Sequence, residues 1–145
     1  MSAQLYSLEV LRLAAAVADF PVIEGAALID ERRSPTCGSR MIVTLELDAD
    51  GHVSKVGLDA KACALGQAAA AIMARSIVGR SAEEVIQALE DWRAYLARET
   101  DGLRTWPDLA LLAAGRDYPA RHPSMRLAFE AAAALLTRTE ARKHG

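Results

Sequence analysis

Met41-Ile42-Val43-Thr44-Leu45-Glu46-Leu47-Asp48-Ala49-Asp50-Gly51 is the stretch that decides the fold. Its side chains separate at a period of two. Met41, Val43, Leu45 and Leu47 fall on one side; Ile42, Thr44, Glu46 and Asp48 fall on the other, as in a half-buried strand. Asp48-Ala49-Asp50-Gly51 is a hairpin signal, because Asp and Gly accept the left-handed backbone angles of a tight reversal. Val53, Val56 and Leu58 then return as a second strand, with Gly57 a candidate bulge. His52, at the turn, reads as a solvated side chain.

Upstream of the hairpin, residues 22–29 are short and apolar around Gly25 and read as a further strand. Asp30-Glu31-Arg32-Arg33 reads as a polar, solvated connection. Residues 5–19 carry Leu5, Leu8, Leu11, Leu13, Ala15 and Val17 among small residues, the pattern of an amphipathic helix ended by Phe20-Pro21. Downstream the period changes to that of helices. Residues 62–78 spread Leu65, Ala69, Ile72, Met73, Ser76 and Ile77 over a wide apolar face, with Gly79 as C-terminal cap. Ser81-Ala82-Glu83-Glu84 is a capping box. It opens a helix that turns Val85, Leu89, Trp92 and Leu96 inward and stops near Gly102. Trp106-Pro107-Asp108 begins a short helix through Leu112, ending at Gly115. A loop over residues 116–122 leads to a last helix over residues 123–137, with Pro123 in its first turn. The charged tail, residues 138–145, is expected to fray. Strands first and helices after predict an α+β fold: a three-stranded antiparallel sheet with helices packed on one face. No repeat or linker divides residues 1–145, so a single domain is expected.

Composition narrows the function. The chain has 145 residues, 52% hydrophobic and 25% charged, enough to build a core. A formal net charge of −2 without a basic stripe gives no case for nucleic-acid binding. No apolar run reaches membrane-spanning length; Ala68 to Met73 is the purest. Met1-Ser2-Ala3-Gln4 lacks a secretion signal's basic-then-apolar order. A cytoplasmic protein with reduced thiols is the expectation. Trp92 and Trp106 read as packing residues, and Arg116, Arg121 and Arg126 as a solvated face.

The chain has two cysteines. Cys37 lies in the loop Ser34-Pro35-Thr36-Cys37-Gly38-Ser39-Arg40, shaped by Pro35 and Gly38. Cys63 lies just after the returning strand, at the mouth of an alanine-rich helix, where the helix dipole favours a thiolate. Flanking the hairpin, the two cysteines can meet at one end of the sheet. A glycine-rich phosphate loop and a Gly-x-Ser-x-Gly elbow are both missing from the sequence. A cysteine hydrolase needs a base, for which His122 is the candidate. Two converging thiolates suit zinc or an iron–sulfur cluster, but underfill a four-ligand site. A reversible disulfide is the remaining thiol chemistry, without a Cys-x-x-Cys motif to support it.

Four motifs in order resemble one family. Pro35-Thr36-Cys37-Gly38-Ser39-Arg40-Met41 resembles the Pro-x-Cys-Gly-Asp loop of the iron–sulfur cluster assembly scaffolds, the NifU N-terminal type that includes IscU and SufU. Lys61-Ala62-Cys63-Ala64 resembles the site where that family's second cysteine opens a helix of small residues. Val78-Gly79-Arg80-Ser81 is similar to its Gly-Lys/Arg helix break. Tyr118-Pro119-Ala120-Arg121 is similar to the Phe-Pro-Ala-Arg stretch of the SufU branch that precedes the third cysteine. The resemblance spans residues 5–137 and implies a SufE/NifU-like α+β fold.

It also implies a non-enzymatic scaffold. On it a cysteine desulfurase deposits sulfur, iron is added, and the cluster passes to cluster-accepting proteins. Cys37 and Cys63 would be ligands or sulfur acceptors for iron, an iron–sulfur cluster or zinc. Two positions depart from the family. Ser39 stands where the family has aspartate, and Ser124 where it has the third cysteine. A protonated serine hydroxyl is a far poorer ligand than a thiolate. His122 reads as a loop histidine capping backbone, with a substitute nitrogen donor as the alternative, and a homodimer giving two cysteines from each chain is another way to complete a site. The alternative is a degenerate, metal-free module that engages assembly partners through its surface.

Overall fold

The protein is described by a computed structural model over residues 5–35, 38–103 and 106–144. Three strands, β1 (Leu28–Arg33), β2 (Arg40–Leu47) and β3 (Val53–Lys61), form an antiparallel sheet in the order β1-β2-β3. Helix α1 (Leu8–Ala15) precedes them; α2 (Ala64–Ile77), α3 (Ala82–Leu96) and α4 (His122–His144) follow. Short 3₁₀ segments lie at Ala16–Asp19, Leu109–Asp117 and Pro119–Arg121. This is the α+β arrangement that the strand and helix periods predict.

The hairpin forms as its turn residues predict. Asp48 Oδ1 accepts the backbone N–H groups of Asp50 and His52, at 2.9 and 3.0 Å, and Gly51 supplies a positive φ of 86°. Register runs from Arg40 opposite Lys61 to Leu47 opposite Val53. The irregularity falls between Glu46 and Leu47 rather than at Gly57. Gly57 serves close packing instead, since the backbone of Pro21 passes so near that a Cβ would overlap its carbonyl oxygen.

β1 lies further along the chain than the apolar pattern suggests. Residues 22–27 are loop, with Gly25 in a turn at φ 70°, and the polar stretch Asp30-Glu31-Arg32-Arg33 is the body of the strand. The reason is its place at the sheet edge. An edge strand has one neighbour and needs no continuous apolar face, and charges there discourage pairing with other chains. Asp30 is held by Arg32 at 2.9 Å and by Arg138, from α4, also at 2.9 Å. That second contact comes from the part of α4 beyond residue 137, where the apolar pattern ends, since the helix continues to His144.

Met41, Val43 and Leu45 point from β2 into the core beneath α2 and α4. α2 is the centre of the packing, touching α1, α4 and β3. Ala68, Ala69, Ala70, Ala71 and Ala74 are all buried along it. A helix apolar all round belongs inside, and alanine lets neighbours approach it from several sides. α3 buries Val85, Leu89, Trp92 and Leu96 as its period predicts, though it ends at Leu96 rather than near Gly102. Both tryptophans are packing residues: Trp92 donates from Nε1 to Met125 O at 2.9 Å, and Trp106 to Ile72 O at 3.1 Å. In α1 the buried side is Val10, Leu13 and Ala14, while Leu8 and Leu11 face outward. No helix among the described residues is long and apolar enough to cross a membrane.

Candidate functional site

The antiparallel register brings two segments to one end of the sheet. Arg33 pairs with Arg40, and Arg40 with Lys61, so the β1–β2 loop and the start of α2 share that end. The loop is closed at its base by Ser34 N–H donating to Ser39 O at 2.9 Å, and Gly38 adopts φ 70°. Cys37, expected there as one of the two thiols, lies outside the described residues.

Cys63 is the N-cap of α2, its backbone extended and its side chain making no capping hydrogen bond. It is a free thiol, half-buried. Its Sγ lies 3.5 Å from Ser124 Oγ, in the first turns of α4. Ser39 Oγ donates in turn to Ser124 Oγ at 3.2 Å. Ser39, Cys63 and Ser124, three positions singled out in the sequence, thus meet, with both serines buried at 4% and 1% exposure. Gly66 makes this possible. A Cβ there would overlap Ser124 Oγ, so only glycine lets α4 settle this closely over the first turn of α2.

His122 is buried at the start of α4, and its Nε2 lies 2.9 Å from Gly115 O. A carbonyl only accepts, so Nε2 carries the proton and Nδ1 is the nitrogen left for any other role. Arg116 donates to the carbonyls of Tyr95 and Thr100, both at 2.8 Å, and lies over the Tyr95 ring, a structural role. Asp59 is 3.6 Å from Arg40, and Lys61 is exposed.

Among the described residues, Asp48, Asp50 and His52 form the cluster of His, Cys, Asp or Glu groups close enough to share a metal ion. It lies at the hairpin tip, and Asp48 already serves the turn there. The feature that sequence reading missed is the joining of Ser39 to Ser124 and of Ser124 to Cys63. Its one local trace is the glycine three residues beyond Cys63.

The fold and this end of the sheet define a class: a small α+β scaffold that presents a thiol at a helix mouth beside a closed loop. No protein-family model matches the chain. The iron–sulfur cluster assembly scaffold protein IscU of Thermotoga maritima is 25% identical over 108 residues, covering 74% of this chain and 75% of IscU. A nitrogen-fixing NifU-like protein (N-terminal) from Brucella abortus superposes with a TM-score of 0.88 at 29% identity, covering 97% of this chain and 98% of the other. A structure assigned to the SUF-system scaffold role, SufU of Fervidobacterium islandicum AW-1, gives a TM-score of 0.85 at 18% identity, a likeness of fold, over 94% and 99% of the two chains. The chain is thus similar in sequence and fold to iron–sulfur cluster assembly scaffolds of the NifU N-terminal and IscU type, and it carries serine at positions 39 and 124.

Proposed function

We propose that this protein acts in iron–sulfur cluster assembly as a carrier that holds iron or a nascent cluster through Cys37 and Cys63. The observation that carries this reading is Cys63 itself: a free, half-buried thiol at the N-terminus of α2, on the end of the sheet where the β1–β2 loop closes. A thiol that is not closed in a disulfide and is open on one side suits soft-metal ligation and sulfur acceptance. A cysteine desulfurase as sulfur source and cluster-accepting proteins as recipients follow from the family. Residues 1–145 act as one cytoplasmic unit in this reading.

The donor set limits how cargo is held. Ser39 and Ser124 spend their hydroxyls on each other and on Cys63, and His122 commits one ring nitrogen to Gly115 O. One chain then supplies two thiolates at most, against the four that a cluster or a tetrahedral zinc site takes. The cargo fits best between two copies of the chain, each giving Cys37 and Cys63. Anaerobic reconstitution with iron and sulfide tests this. A visible absorption band should appear with a dimer and be lost in Cys37→Ser and in Cys63→Ser.

The second reading, a metal-free module that binds assembly partners, is favoured by the Ser39–Ser124 hydrogen bond, which closes both substituted positions. It predicts no band and no bound metal after reconstitution, together with a stable complex with a cysteine desulfurase.

A further inference from the structure

Ser124 has two hydrogen-bond partners among the described residues and one proton to give. Its Oγ accepts from Ser39 Oγ at 3.2 Å and lies 3.5 Å from Cys63 Sγ. A hydroxyl has a single donor hydrogen. With Ser39 donating to it, the Ser124 proton is directed to the other partner, the sulfur. The arrangement is enclosed: Ser124 is 1% exposed, so water does not compete for the hydroxyl. It is also set by the backbone, because Gly66 admits the Ser124 side chain and its carbonyl oxygen against the first turn of α2.

We propose that Ser124 is a positioning residue for Cys63. Backed by Ser39, it donates a hydrogen bond to the sulfur, fixes the direction of Sγ and occupies a lone pair that an incoming soft cation or electrophile must displace. This rests on the reading of Cys63 as the thiol that handles cargo. Hydrogen bonds to a ligating side chain orient it and tune its donor strength. The serine at position 124 thus replaces a third ligand with a restraint on the second, and Cys63 gives up its cargo more readily than an unrestrained thiolate.

The test is alkylation of the full, iron-free chain by iodoacetamide. It is run on the alkaline plateau where the rate no longer changes with pH, with the Cys63 peptide followed by mass. Ser124→Ala should react several-fold faster at Cys63. Ser39→Ala, which does not touch the sulfur, should shift the rate in the same direction by less and add nothing in the Ser124→Ala background. Ser39→Thr, which keeps the hydroxyl, should keep the wild-type rate. An unchanged Ser124→Ala rate, additive effects of the two alanines, or a Ser39→Thr rate equal to that of Ser39→Ala would overturn the proposal. Ser39→Ala alone decides the matter if Ser124→Ala does not fold. Without iron in the assay, its result is independent of whether a cluster binds.

Discussion

Thr44 lies on the side of β2 away from the helices and is nonetheless fully buried. Its Oγ1 accepts the Ile23 N–H at 3.1 Å and donates to Gly57 O at 3.2 Å, joining the chain after α1 to two strands. Thr44→Val keeps the shape and removes both bonds. It should lower stability by about 1–3 kcal/mol, the cost of leaving buried backbone groups unpaired, as read by urea denaturation. Gly66→Ala forces Ser124 away from α2. Overpacking of that kind costs about 1–3 kcal/mol, and the same variant should change reagent access to Cys63. At this scale the sequence was legible in part. Cys63 as the residue that opens a helix follows from its neighbours. Its partner Ser124 is 61 positions away, and Ser39 and Ser124 are 85 apart. No local spacing encodes such a meeting.

The capping box at the start of α3 is complete: Ser81 Oγ accepts from Glu84 N–H, and Ser81 N–H donates to Glu84 Oε1, each at 3.2 Å. The hydrogen bond from the Ser81 backbone, opposed by slight desolvation and aided by the charge of Arg80, holds the Glu84 carboxyl below its ordinary value. A lowered carboxyl stabilises the fold above its unfolded-state pKa, and that contribution disappears as pH falls through the folded one. The stability difference between wild type and Glu84→Gln should therefore be present near neutral pH and vanish in acid, in urea titrations across the carboxylate range. Elements with a strong period were readable: β2, β3, α2 and α3 stand close to where their patterns put them. β1 was not, because an edge strand is selected for charges that keep it soluble and not for alternation. α4 extends past its apolar pattern, and Arg138 there pairs with Asp30, a long-range contact that periodicity does not register.

In the whole molecule, the thiol end sits at the margin of the core, with Cys63 half-buried and packed against it. Phe129 is fully buried and meets the Trp106 ring edge-on at 5.2 Å, in a hydrophobic cluster that runs from α1 to α4. Phe129→Ala should cost about 3–5 kcal/mol. Cys63→Ser, at the half-buried rim, should stay within about 1 kcal/mol of wild type by the same denaturation measurement, while removing iron binding in the reconstituted protein. Fold class was legible from the order of periods. The way the substituted site closes on itself was not, since it depends on how α4 crosses α2.

The hairpin tip at Asp48-Ala49-Asp50-Gly51 lies at the far end of β3 from Cys63. Nine residues of strand separate them, a span of roughly 30 Å. A fluorophore, surface tether or fusion partner joined at that exposed tip stands clear of the thiol, so the chemistry of Cys63 can be followed, or the protein immobilised, from the opposite pole of the sheet.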